Sequence, residues 1–205
     1  MAKNSMTDVS RKKQSSVRRR RSQGTNPAVW GGLAVLGIIL LVAVLFWISR
    51  PASPVSAMGE VVQISATDHV QEGTDSGPYA SDPPAGGKHY ASTYRAGFYN
   101  ESDVAGLPQR PEGYLVHNLE HGYILYYYNC AADPNINCDE LKQAIQDVQQ
   151  EFNTRKTIAF PWDTLETPIV MVSWGRLMPL ETLDKDVMRQ FYRANLNKAP
   201  EPNAE

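Results

Sequence analysis

Residues 28–48, from Ala28-Val-Trp-Gly-Gly to Phe46-Trp-Ile48, are twenty-one consecutive positions without a charged side chain. A helix of about 20 residues is what crosses the ~30 Å hydrocarbon core of a bilayer. This run therefore divides the chain before any other feature is considered. Residues 1–27 carry eight Lys or Arg against one acid, Asp8, and end in the cluster Arg18–Arg21 just before the run. Basic residues flanking a span hold that end in the cytoplasm, and Trp30 and Trp47 sit near the two ends, where indole rings favour the interface. The expectation is a disordered basic cytoplasmic tail (1–27), a transmembrane helix (28–48) and an exported remainder in the cell membrane. A cleaved signal peptide, with Val55-Ser56-Ala57 as its cleavage site, is the competing reading, but its apolar region should be only about 7–15 residues long. The basic tail is not read as a nucleic-acid arm, because it abuts the apolar run.

The remainder has the opposite charge balance: residues 50–205 hold twelve basic and twenty-one acidic side chains. Both cysteines, Cys130 and Cys138, lie there. Outside the cytoplasm, so close a pair reads as a disulfide, with Asp133, Pro134 and Asn135 turning the chain between them. Residues 49–60, with Pro51 and Pro54, read as a linker, 61–198 as the folded domain, and 199–205 as a flexible tail. Strands are expected at 61–64, 94–99, 123–128, 157–160 and 169–174. Leu141, Ile145, Val148 and Phe152 recur at helical spacing over 139–154, and Thr182 can cap a last helix through Asp186, Val187, Phe191 and Asn195. Strands and helices mix without regular alternation. The expected fold is therefore α+β: one domain with a mostly antiparallel sheet and two or more helices, preceded by one transmembrane helix.

Chemistry concentrates in Gly113-Tyr-Leu-Val-His-Asn-Leu-Glu-His-Gly122 and the apolar strand that follows. His117 and His121 stand four apart, on one face of either a helix or a strand. The chain has four histidines, and the other two, His69 and His89, flank a glycine- and proline-rich segment, 72–88. Converging imidazoles suit copper or zinc. The expected metal ligands are His89, His117 and His121, with His69 as a fourth; copper is weakly preferred over zinc because export, the histidines, Met171 and the tyrosines are compatible with it. Glu120 and Asp82 are expected to accept hydrogen bonds from the imidazoles and fix their tautomers. Trp174 and Arg176 are read as packing residues. Two other readings stand beside the metal-binding module. His117-Asn-Leu-Glu-His121 also fits His-x-x-Glu-His, the pattern of metal-dependent hydrolases in which the glutamate, here Glu120, activates water. The third is a metal-free cell-envelope interaction domain whose histidines serve the fold.

Four segments in order, Thr67-Asp-His-Val-Gln-Glu-Gly73, Ser81-Asp-Pro-Pro-Ala-Gly-Gly-Lys-His-Tyr90, Leu115-Val-His-Asn-Leu-Glu-His-Gly122 and Ser173-Trp-Gly-Arg176, resemble the bacterial domain of unknown function 3105. That family pairs a His-Val-x-Glu-Gly opening with a Pro-Pro-Thr-Ser-Gly-Pro-His-Tyr loop, a Val-His-x-Leu-Glu-His-Gly core and a late Trp-Gly-Arg. The chain departs from it at Ala85-Gly-Gly-Lys88, and Lys88 would disfavour a cation beside His89. The resemblance covers about residues 61–197. It implies an N-terminally anchored exported domain in which all four histidines belong to one pattern, with no established activity.

Overall fold

The computed structural model describes residues 37–42, 44–45 and 56–204. The chain divides into two units after Ser53. In the first, the described positions 37–42 and 44–45 are helical (α1), and all are exposed. Among the described residues no helix is long and apolar enough to cross a membrane. Most of the expected 28–48 span, all of the tail 1–27 and most of the linker lie outside the described residues.

The second unit is an α+β domain built on a six-stranded sheet in the order β1-β6-β5-β3-β4-β2. Its elements are β1 (Glu60–Val61), β2 (Gly97–Phe98), α2 (Glu101–Val104), α3 (Glu112–Glu120), β3 (Ile124–Tyr128), α4 (Cys138–Glu151), β4 (Thr157–Pro161), β5 (Ile169–Ser173), β6 (Arg176–Leu180) and α5 (Lys185–Asn195). The sheet is mixed, which corrects the mostly antiparallel expectation. β3 and β2 both run parallel to β4, whereas β5 and β6 continue antiparallel from β3. The cause is α4. Adjacent parallel strands need a crossover of a dozen or more residues, usually helical, and α4 supplies it between β3 and β4. The helix starts where Asn137 caps it, accepting from the amides of Asp139 and Glu140. Its first residue, Cys138, forms a disulfide with Cys130, their Cα atoms 5.2 Å apart.

Both faces of the sheet are covered, so every residue of Ile124-Leu-Tyr-Tyr-Tyr128 is buried. Alternation divides them. Leu125 and Tyr127 pack with Ile158, Phe160, Val170 and Val172 against Leu115 and Leu119 of α3 and the tyrosines of the preceding loops. Ile124, Tyr126 and Tyr128 pack with Met171 against Leu141, Ile145 and Val148 of α4 and Met188 and Phe191 of α5. The last helix is capped by Asp184, not Thr182; the Asp184 side chain accepts from the amides of Asp186 and Val187. The Trp174-Gly175 pair is the two-residue turn between β5 and β6. Arg176, which follows it, donates from Nη1 to the Gly59 carbonyl at 3.1 Å. These are packing roles for the Trp-Gly-Arg motif.

Candidate metal centre

α3 carries half of the site. It runs from Glu112 to Glu120, has His121 as its C-cap, and stops because Gly122 adopts φ +81°. A side chain at residue 122 would be strained there, and its Cβ would meet the Asn197 backbone at 2.6 Å. His117 and Glu120, three apart, share one face of the helix. The helix is fixed to the loops that bring the other histidines. The Asn118 side chain accepts from the Tyr94 amide and donates to the Tyr94 carbonyl, both at 2.9 Å. The Tyr90 amide donates to the Gly113 carbonyl at 3.1 Å. His69 and His89 come from opposite ends of segment 69–89, yet they are joined as a parallel bridge. In that bridge the Val70 amide donates to the His89 carbonyl at 2.8 Å, and the His89 amide to the Asp68 carbonyl at 3.2 Å.

The result is a triangle of imidazoles. Ring centroids lie 4.5 Å apart for His69–His89, 5.0 Å for His69–His117 and 5.1 Å for His89–His117. One ligand atom from each ring and a Glu120 carboxylate oxygen all lie within 4.8 Å of one another. His89, His117 and Glu120 are buried, and His69 is exposed. Each group presents one usable atom. His89 Nδ1 lies 2.9 Å from the Gly87 carbonyl, which only accepts, so Nδ1 carries the hydrogen. Its Nε2 points inward, 2.8 Å from Glu120 Oε2. His117 has a buried Nδ1 with no hydrogen-bond partner. Burial first, and then the neighbouring rings of His121, His89 and His69, pull its pKa from 6.5 down to about 4, against a backbone hydrogen bond to Ser92 that acts the other way. His117 is therefore neutral at pH 7, the state in which imidazole binds metals. A buried nitrogen without a partner carries a desolvation cost, and a cation among these four groups would relieve it.

The structure does not place every expected residue in this group. His121 lies edge-on to His117, with ring centroids 4.4 Å apart, but it contributes no atom to the group of four. Its Nε2 faces Glu201 Oε2 at 3.6 Å, and its Nδ1 is buried without a partner. Asp82 is elsewhere: it accepts from Trp162 Nε1 at 2.7 Å and from Thr164 Oγ1 at 2.6 Å, and so orients no imidazole. Met171 is buried in the core on the α4–α5 side of the sheet, whereas α3 covers the other side, so it gives copper no support. Lys88 is exposed. Glu120, expected as an outer acceptor or a base, stands among the ligand atoms themselves. The C-terminal segment, expected to be loose, also reaches the site. The Glu201 amide donates to the Glu120 carbonyl at 3.0 Å. Lys156 Nζ donates to the carbonyls of His121 and Pro202, both at 2.8 Å, and to Asn197 Oδ1 at 3.2 Å. No local sequence pattern signals that contact.

Fold and cluster together define an α+β domain with a group of three histidines and one carboxylate, able to hold a metal ion, at the end of a short helix. The chain belongs to the family described as a protein of unknown function, DUF3105, whose model matches residues 69–205. No curated protein and no solved structure matches it.

Proposed function

We propose that the chain is a membrane-anchored, extracytoplasmic module that binds a transition-metal ion through His69, His89, His117 and Glu120. The observation that carries this reading is the convergence of four ligand atoms within 4.8 Å, three of their residues buried. A set of imidazole nitrogens plus one carboxylate oxygen suits zinc or copper(II). His89 has the backing that metal-binding histidines usually have, its distal N–H given to a backbone carbonyl. His121 packs behind His117 and supports its ring. The 28–48 run supplies the anchor, and the arginines before it place the domain outside.

Metal content of the full chain, purified in detergent without a histidine tag, tests this reading. Mass spectrometry should find about one zinc or copper per chain after incubation and dialysis. The His117→Ala and His89→Ala variants should lose it while His121→Ala retains it. No bound metal after incubation with either ion would refute the reading and leave the metal-free interaction domain.

A further inference from the structure

A second feature lies around the carboxylate that the metal centre does not use. Asp82 is exposed, and both its oxygens are held, one by the Trp162 indole and one by the Thr164 hydroxyl. Both donors are neutral, so they hold the carboxylate in place without pairing it to a cation. It stands where two open cavities adjoin, of about 440 and 410 Å³, which share Asp82, Glu112 and Trp162. The apolar lining is aromatic and proline-rich: Tyr79, Pro84, Pro111, Phe160, Pro161 and Trp162. The charged lining is entirely acidic: Asp75, Asp82, Glu101, Glu112 and Asp163. Two of these are paired, Asp75 with Arg110 at 3.3 Å and Glu101 with Lys142 at 2.7 Å. Among the described residues no ion pair engages Asp82, Glu112 or Asp163.

We propose that this groove docks an extended polypeptide segment of a partner protein in which Arg or Lys alternates with proline and apolar residues. Charge complementarity selects the cation, since the lining offers three uncompensated carboxylates and no basic side chain. The half-buried Trp162 ring, which lines both cavities beside the fixed Asp82 carboxylate, suits a guanidinium, which stacks on indole and pairs with carboxylate together. Shape selects an extended chain. Two adjoining cavities on an aromatic and proline floor resemble the surfaces that bind proline-rich segments, which lose little entropy on docking. The inference is independent of metal binding.

The test uses the full chain in detergent micelles and two fluorescein-labelled peptides, Ala-Arg-Pro-Leu-Arg-Pro-Leu-Arg-Pro-Ala and its twin with Glu in place of every Arg. Fluorescence anisotropy should show the arginine peptide binding at least about tenfold more tightly than the glutamate twin, and more weakly as salt rises. The Asp82→Asn variant and the Glu112→Gln, Asp163→Asn double variant should each weaken binding by about tenfold or more. The Glu60→Gln, Glu140→Gln double variant removes as much charge away from the groove and should bind within about twofold of wild type. Equal affinity for the two peptides, no binding at about 1 mM, or equal weakening by the control variant would each overturn the proposal.

Discussion

Replacing Gly113 with alanine tests how closely the helix carrying His117 and Glu120 is fitted to the loop carrying His89. A Cβ at this position would lie 2.4, 2.5 and 2.6 Å from three carbons of the Tyr90 ring. Separations below 3 Å demand movement, and Tyr90 has little freedom to move. It is fully buried, its hydroxyl donates to the Thr74 carbonyl at 2.6 Å, and its ring packs edge-on to Tyr114 at 4.8 Å. Forcing a methyl into a filled core costs about 1–3 kcal/mol. Alanine in place of glycine in a helix returns at most about 1 kcal/mol. With three ring carbons inside contact distance the steric cost wins, leaving a net destabilisation of about 1–2 kcal/mol. In a domain of roughly 150 residues each kcal/mol shifts the melting temperature by about 2–4 °C, so a fall of about 2–8 °C is expected. Circular-dichroism melting of the full chain in chelator measures this. Because Tyr90 follows His89 directly, the displaced ring should also pull His89 from its place, and zinc affinity should fall with stability. A variant that melts at or above the wild-type temperature would show that the contact yields easily, and the coupling of α3 to the His89 loop would then be refuted.

Other expectations follow from the same contacts. The folded pKa of His117 is about 4, below the ordinary 6.5, so between these values the unfolded chain binds more protons. Stability without metal should therefore fall as pH drops from about 6.5 to about 4, by about 1–3 kcal/mol once partial solvation is allowed for; a His117→Gln variant with an equally steep pH profile would contradict this. Opening the Cys130–Cys138 disulfide frees a loop with a sequence separation of 8, which in the chain-entropy model costs about 2–3 kcal/mol. Cys138→Ser should lower the melting temperature accordingly, and an unchanged melt would count against that estimate. Lys156→Met removes three hydrogen bonds that hold the C-terminal segment to the end of α3. Amide exchange at Glu201 should speed up by about fivefold or more, since the clamp is worth at least about 1 kcal/mol; unchanged exchange would mean that the segment is held by other contacts.

What the sequence made legible was local. The apolar run 123–128 and the helical spacing over 139–154 identify β3 and α4 to within three residues at their ends, because each repeats its pattern over several positions. β6 escaped because Pro179 interrupts it, and a proline is expected only where a strand faces no donor-seeking neighbour. The structure supplies that place: β1 pairs only with Arg176 and Leu177, leaving Pro179 unpaired on its outer side. The mixed sheet escaped because one crossover decides it, and no strict alternation of elements announces that crossover. At the site, the spacing of His117 and His121 was legible, and the two rings do meet, with centroids 4.4 Å apart. The helix ends at Glu120, and His121 beyond it contributes no atom to the group of four. Glu120, three positions from His117, supplies the fourth atom of the group. The pairing of His69 with His89 depends on a backbone bridge between distant loops, and the ordered family motifs were its only sign. Asp82 carried no local cue to its partners, which lie 80 and 82 residues away.

The arrangement of the four groups also bears on whether the centre binds or catalyses. A general base must face a space into which a substrate and its water can enter. Glu120 faces His89 Nε2 at 2.8 Å and is 6% exposed. Its backbone carbonyl is covered in turn by the amide of Glu201. It is therefore better placed to complete a ligand set than to activate water at a substrate. His69 is the exception in burial, exposed where its three companions are enclosed. On the proposed metal-binding reading, His69 is the ligand through which a bound ion would meet solvent. On that reading the asymmetry would let the ion exchange through His69. It also makes His69→Ala informative: the variant should retain the buried ligands and the fold while exchanging metal about tenfold or more faster, given the weight of a single ligand.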